Sequence, residues 1–271
     1  MNDLYFAYCQ GDVLLTSEGQ IPCGPSAPMD FLPWEYVTTI HSPLTSHIYR
    51  LDRPVTDHPG LQMMGLRKTF DILTPEMYQL AGKCAELVYW DQNSKFCGCC
   101  GAPMKWNTEI SKRCTECGKE LWPQLQTAII VRVTRKTTLT RDTSDHSSLT
   151  SGIQDEILLV HAHSFRNNYY GLVAGFVETG ETLEECVRRE VWEETRLNIR
   201  NIRYFASQPW PYPAGLMVGF TAEYDSGEVQ LQRSELGGGG WFRVDNLPEI
   251  PNRSSLARWL IDDWIRMVNN K

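Results

Sequence analysis

No stretch of the 271 residues approaches the run of about 18 apolar side chains that a membrane-spanning helix requires. The opening Met1-Asn2-Asp3-Leu4 lacks the basic-then-apolar pattern of a secretion signal. The closing Val268-Asn269-Asn270-Lys271 carries no peroxisomal or lipid-attachment signal. Positive charge is scarce as well: 26 Lys and Arg stand against 33 Asp and Glu, a net charge of -7. That balance excludes broad electrostatic binding to nucleic acid or an anionic membrane, while leaving room for a local basic groove. No internal repeat is visible. A soluble, cytoplasmic protein with no membrane partner is the expectation. The 42% of apolar residues is enough for a real core in one large or two ordinary domains.

Cysteine is present but unevenly spread. Nine occur, five of them between Cys97 and Cys117. A secreted disulfide framework would distribute them more evenly, so the cluster reads as a metal site in a reducing compartment. Cys97 and Cys100 enclose two residues, Cys114 and Cys117 enclose two, and thirteen lie between the pairs. Gly101 and Gly118 follow the second cysteine of each pair and free the backbone to turn around an ion. Four thiolates so spaced suit one tetrahedral, structural Zn²⁺ per chain. Cys99 could replace Cys100, but the symmetry of the two knuckles favours Cys100. Such a closed site has no open position for catalysis. A zinc ribbon can bind nucleic acid, yet the mixed charges (Lys105, Glu109, Lys112, Arg113, Glu116, Lys119, Glu120) favour a clip joining two domains.

Around that cluster the pattern is α+β. Leu4–Tyr8, Val13–Leu15 and His47–Leu51 read as strands punctuated by Gly and Pro. Thr74 as N-cap and Pro75 at the first position open a helix carrying Met77, Leu80, Ala81, Cys84, Leu87 and Val88. Thr127–Val133 and Ile157–Ala162 read as an antiparallel pair joined by a mobile polar loop at 134–155. A helix over 182–195, strand-like segments 200–207 and 216–224, and a closing helix 252–268 follow. On that last helix Leu256, Leu260, Ile261, Trp264 and Met267 share one side. Strands mixed with few helices argue against a doubly wound sheet.

The chemistry concentrates between Gly175 and Leu197. Thr182 and Glu185 have capping-box spacing. Leu183, Cys186, Val187 and Val191 form an apolar stripe, and its continuation is Glu190, Glu193 and Glu194. These stand at i, i+3 and i+4, so their carboxylates converge on a face that should pack inward. Mutual repulsion under partial burial calls for a hard divalent cation, Mg²⁺ or Mn²⁺. Arg189 can orient one carboxylate and partly neutralise it.

This stretch resembles the Nudix box. Gly175, Glu181, Arg189-Glu190, Glu193-Glu194 and Leu197 occupy its fixed positions. Arg196 stands where the box has glycine, at a helix end that often needs a left-handed backbone, at a cost of about 1 kcal/mol. Ser207-Gln-Pro-Trp-Pro-Tyr-Pro213 further resembles the signature of the NADH pyrophosphatase and NAD-capped RNA hydrolase family. So do the ribbon placed immediately before the Nudix domain and Phe70-Asp71-Ile72-Leu73 ahead of the helix. The similarity runs from about residue 63 to 265.

The resemblance implies a Nudix α/β/α sandwich with a mixed sheet at 123–271. A zinc ribbon at 94–122 and a small α+β domain at 1–93 precede it. It also implies divalent-metal binding by Glu190, Glu194, Glu235 and the Ala174 carbonyl, with Glu193 close by. Glu235 precedes Gly237–Gly240, a run expected to leave it on a flexible support. Trp122, where tyrosine is usual, and Phe176 would contact the dinucleotide rings. Further contacts would come from Gln208, Pro209, Trp210, Pro211, Tyr212, Pro213, Ala214, Gly215 (a serine in the family) and the vicinity of Ala257. The implied reaction is metal-dependent hydrolysis of the pyrophosphate of NAD(H), free or as an RNA cap, by a homodimer. Glu190 or Glu235 would be the general base. Two other readings stand beside it: a Nudix enzyme for ADP-ribose or diadenosine polyphosphate, and a non-catalytic zinc-ribbon adaptor for nucleic acid.

Overall fold

The computed structural model describes residues 3–28, 34–41, 43–56, 58–138, 153–165 and 168–270. The chain divides into two compact units. One comprises Met1–Leu125 with Pro209–Gly215, the other Gln126–Gln208 with Leu216–Lys271.

In the first unit, β1 (Asp3–Cys9), β2 (Asp12–Thr16), β3 (Cys23–Gly24), β4 (Trp34–Ile40), β5 (Ser46–Leu51) and β6 (Leu61–Gly65) form one sheet. Its order is β4-β5-β1-β2-β6, with β3 also paired to β1. Strand alternation sorts the side chains. Leu4, Phe6, Tyr8, Val13 and Leu15 face one core, while Ala7, Cys9, Leu14 and Leu51 face a smaller one. Gln10 and Gly11 both take positive φ (50° and 90°), the two-residue hairpin geometry that matches strand twist and joins β1 to β2. Helix α1 (Pro75–Asn93) starts where expected, with the Thr74 hydroxyl accepting from the Met77 N–H. It buries Leu80, Ala81, Cys84, Leu87 and Val88 against the sheet. Each large apolar side chain there contributes about 1.5–3 kcal/mol.

The ribbon follows as β7 (Met104–Thr108), β8 (Ser111–Cys114) and β9 (Glu120–Leu121). Lys112 on β8 is buried. Its Nζ donates to Asp91 Oδ1 at 2.7 Å and to the Ser94 hydroxyl at 3.1 Å at the end of α1, and lies near the Trp90 and Trp106 rings. This unit also holds residues 209–215. The Pro211 ring packs where a Cβ on Gly82 would come within 3.0 Å of it. The Tyr212 hydroxyl meets that of Tyr78 at 2.6 Å.

In the second unit, β10 (Gln126–Thr138), β11 (Ile153–Ala162), β12 (Val173–Phe176), α2 (Leu183–Thr195), β13 (Asn198–Trp210), β14 (Gly215–Ser226), β15 (Leu236–Phe242) and α3 (Leu256–Asn269) follow in order. The sheet runs β13-β14-β10-β11-β15, with β12 also paired to β10. Cys186, Val187 and Val191 of α2 pack on one face with Ile129, Val131 and Leu158. Leu256, Leu260, Ile261 and Trp264 of α3 pack on the other with Ile130, Ile157 and Leu159. The result is the expected α/β/α sandwich. Among the described residues no helix is long and apolar enough to cross a membrane.

Three expectations need correction. The polar stretch 134–155 is not all loop: β10 continues to Thr138 and β11 begins at Ile153, with Thr134 opposite Ile157. Polar residues form strand there because they pair across it, as Arg135 does with Glu156 at 2.7 Å. Residues 139–152 lie outside the described set. The closing helix starts at Leu256 rather than 252, on the Ser255 cap, and Met267 on it is 52% exposed rather than part of the apolar side. Finally, the strand expected over 200–207 runs on to Trp210 as β13, and Pro211–Ala214 make the turn to β14.

Candidate functional site

Two groupings stand out, one in each unit. In the ribbon, the Sγ atoms of Cys97, Cys100, Cys114 and Cys117 all lie within 4.8 Å of one another. Cys97–Cys117 are 3.6 Å apart and Cys100–Cys114 3.4 Å, far beyond a disulfide bond. A tetrahedral ion with Zn–S bonds of about 2.3 Å needs sulfurs about 3.8 Å apart, so the donor set fits. Backbone N–H groups of Cys100 and Cys99 hold the Cys97 thiol below its usual range. The N–H of Glu116, helped by that of Cys117, brings Cys114 down to about 6. Gly101 and Gly118 both take positive φ, as the tight knuckle turns require. Cys99 is outside the four-sulfur group.

In the second unit α2 carries the carboxylates. Its start is a complete capping box: the Thr182 hydroxyl accepts from the Glu185 N–H, and the Glu185 carboxylate accepts from the Thr182 N–H. At its end Arg196 takes φ 61°, ψ 19°, the left-handed position foreseen for it, with its guanidinium 3.9 Å from the Trp192 ring centroid. The ring contact offsets part of the backbone cost.

Arg189 is the hub. It donates to Glu181 at 2.7 and 3.0 Å, to Glu190 at 2.8 Å, to Glu193 at 3.1 Å and to the Phe176 carbonyl at 2.9 Å. That guanidinium holds the Glu181 carboxyl down to about 2. Glu194 is the opposite case. The residue is only 6% exposed, and its carboxylate has no hydrogen-bond or ion-pair partner among the described residues. Burial pushes its carboxyl up to about 8, with repulsion from Glu190, Glu235 and Glu193 adding to the effect. Burial also raises Glu190, against the pull of Arg189.

One guanidinium shared by three carboxylates, beside two more, leaves uncompensated negative charge that a hard divalent cation would balance. The carboxylates are not drawn into a tight donor set, since the four cysteines are the one such group among the described residues. Arg189 draws Glu190 and Glu193 toward itself.

Glu235 does not sit on a loose support, as its glycine-rich neighbourhood led us to expect. Gly237–Gly240 lie within β15, paired to β11 with His161 opposite Gly238 and Val160 opposite Gly239. The Glu235 carbonyl accepts from the His163 N–H at 2.9 Å, and its carboxylate accepts from the Gln232 amide at 3.1 Å. Ala174, on β12, lines a cavity with Glu194 and Glu235. Gly175 beside it is constrained by its neighbour, because a Cβ there would occupy the space of the Glu190 carboxyl. Gly175→Ala is therefore expected to turn Glu190 away from Arg189 and lower kcat roughly tenfold through misplacement. Steady-state assays alongside a melting curve test this.

The expected ring contacts divide between the units. Trp122, in the first, is 53% exposed; Phe176, in the second, is 61% exposed at the end of β12. Gln208 is buried, and its amide donates to the Ser254 carbonyl and accepts from the Leu256 N–H, each at 2.8 Å, securing the start of α3 next to Ala257. Trp210 and Tyr212 flank the guanidinium of Arg67, at 5.0 and 4.3 Å. Ala214 lines a pocket with Trp122 and Glu86. Burial raises the Glu86 carboxyl to about 7 while it accepts from the Gly215 N–H. Arg67 and Glu86 escaped the sequence reading because neither lies in a spaced motif.

The NUDIX domain family matches residues 149–262. The NAD-capped RNA hydrolase NudC of Stutzerimonas stutzeri is 38% identical over 216 residues, 79% of this chain and 71% of that protein. That of Citrobacter koseri is 41% identical over 214 residues, 79% of this chain and 76% of that protein. The counterpart in Deinococcus radiodurans is 34% identical over 261 residues, 96% of this chain and 86% of that protein.

Proposed function

From the premise that the chain belongs to the NudC family of Nudix hydrolases, we propose that it hydrolyses the pyrophosphate of NAD(H), free or as the 5′ cap of an RNA. The products are NMN(H) and AMP, or NMN and a 5′-monophosphate RNA. The observation that carries this reading is the buried, unpartnered Glu194 beside the carboxylates that Arg189 organises. We assign Mg²⁺ or Mn²⁺ to Glu190, Glu194, Glu235 and the Ala174 carbonyl, and Zn²⁺ to Cys97, Cys100, Cys114 and Cys117.

When bound, the divalent cation supplies charge neutralisation at the pyrophosphate and a water of lowered pKa. Glu190 or Glu235 takes the proton from the attacking water. Arg189 sets the direction of Glu190, and Glu181 in turn fixes Arg189. We assign Trp122 and Phe176 to contacts with the dinucleotide rings, and Pro209–Gly215 to further substrate contacts. Gln208 acts by fixing α3 near Ala257. We further propose a cytoplasmic homodimer in which both chains contribute to each site. Its parts are an N-terminal domain at 1–93, a ribbon at 94–122 and a catalytic domain at 123–271.

The test is chromatography of the products from NADH, NAD and ADP-ribose with Mg²⁺ or Mn²⁺. NADH is expected to exceed ADP-ribose, which lacks the nicotinamide ring, in kcat/KM. Trp122→Ala should raise KM for NADH several-fold, the scale of about 1 kcal/mol from one ring contact. Equal values for the two substrates, unaffected by Trp122→Ala, would leave a generic Nudix pyrophosphatase.

A further inference from the structure

A cavity of about 590 Å³ lies in the first unit, apart from both groups of metal donors. One stripe of α1 forms a wall of it. Ala85, Val88, Tyr89 and Gln92 stand at i, i+3, i+4 and i+7, and so share a face. A second wall is the hairpin turn Gln10–Gly11 with the end of β5 at Arg50–Asp52, and a third is Pro211–Pro213. That third wall is held from several sides. The Tyr212 hydroxyl meets that of Tyr78 at 2.6 Å, the Arg67 guanidinium lies 4.3 Å from its ring centroid, and Trp210 stands edge-on to it at 5.2 Å. A wall fixed beforehand leaves little ordering to be done when a ligand arrives.

The lining suits a flat, uncharged ligand with a polar edge. Leu51, Leu66 and Val88 supply apolar surface, and Tyr89, 39% exposed, offers a ring. Gln10 and Gln92 each carry an amide donor and an amide acceptor. Among the described residues the lining holds one cation, Arg50, and one anion, Asp52. Arg50 is already paired with Glu35, and its Nε is a buried donor without a partner. A phosphate would meet the Asp52 carboxylate and a guanidinium whose charge is already offset. A base would meet donors, acceptors and a ring, the combination that holds unstacked bases of single-stranded RNA.

We propose that this cavity holds one unstacked base of the RNA chain that follows the cap. The proposal rests on the reading of NAD-capped RNA as substrate, in which Trp122 and Phe176 contact the rings of the dinucleotide. A base of the RNA is then the flat group still without a seat. Pro211–Pro213 connect the two roles: they wall the cavity and belong to the stretch assigned to substrate contacts. A chain of net charge -7 would thus hold its RNA by a ring and by base edges rather than by neutralising phosphates.

The experiment compares kcat/KM for free NAD and for unpaired NAD-capped oligonucleotides, intact or with a single abasic site at successive nucleotides after the cap. The full chain is used as wild type, Tyr89→Ala, Tyr89→Phe and Gln92→Ala. In the wild type one abasic position is expected to lower kcat/KM about tenfold, within the range of one base stacked on an aromatic ring. Tyr89→Ala should lose the same factor on the intact oligonucleotide, nothing further on that abasic one, and nothing on NAD. Tyr89→Phe, which keeps the ring, should restore the rate. Tyr89 also borders the pocket of Trp122, so Gln92→Ala is read beside it and should cost the capped RNA several-fold, the scale of one hydrogen bond. The ratio of intact to abasic rates should not change with salt, since no phosphate contact enters it. Indifference to every abasic position, losses that multiply, a ratio that falls with salt, or variants that slow NAD as much as RNA would each overturn the base site alone. A wild type that cleaves NAD but not capped RNA would overturn the RNA half of the substrate reading together with the site, and one inactive on both would overturn that reading as a whole.

Discussion

Glu194→Gln is expected to reduce kcat for NADH by at least ~10²-fold, the scale of losing a key catalytic interaction, while making the metal-free protein harder to unfold. Both effects have one cause. Glu194 is buried, and its carboxylate has no partner among the described residues and is repelled by Glu190, Glu235 and Glu193. Its carboxyl, raised to about 8, holds a proton in the folded state at a pH where the unfolded chain has released it. Between roughly pH 4.5 and 8 the native state therefore binds more protons than the unfolded state, and stability falls as pH rises. Glutamine removes that penalty along with the ligand charge. Melting curves of wild type and variant in chelator, at pH 5 and pH 8.5, should diverge at the higher pH, with the variant above. Glu190→Gln should lose activity on the same scale. Near-normal turnover by both variants at saturating Mg²⁺ would reduce α2 to an acidic surface.

Cys114→Ser is expected to abolish tightly bound zinc, from about one ion per chain to none, and to lower the unfolding free energy by several kcal/mol. Structural zinc has on the order of 10–16 kcal/mol to contribute in small domains. The cost should fall on stability more than on the chemical step, because the four sulfurs form a closed set in the first unit, whereas Glu190 and Glu194 belong to the second. Elemental analysis with denaturant titration checks the first part, and kcat of the folded fraction checks the second. Fresh protein without tightly bound zinc would remove the assignment.

Both groupings were legible in the sequence because each is local. The knuckles are two short cysteine pairs, and α2 brings Glu190, Glu193 and Glu194 together by helical period alone. Its capping box and the left-handed Arg196 follow from the same few residues. What escaped was non-local. Leu61–Gly65 carries only half-buried side chains, so β6 has no clear alternation. Tyr78 and Tyr212 meet across 134 residues. The glycine run looked flexible because its strand identity comes from β11, not from itself. Thr134–Thr138 looked like loop because hydrogen bonds and ion pairs, rather than burial, hold it in strand.

The first unit is discontinuous in sequence, and that sets an order in time. A ribosome that has released residue 125 has not yet made Pro209–Gly215. Until it does, the core around α1 lacks the Tyr212 ring, Tyr78 lacks its hydroxyl partner, and Gly82 faces no proline. The segment that starts first is thus completed late, after residues 126–208 have been synthesised. Domains usually mature from the N-terminus as they emerge; here the N-terminal sheet must wait with part of its apolar surface uncovered. Neither unit can be cut out at residue 125 as a whole, so shuffling of this catalytic domain between proteins would have to carry both pieces together.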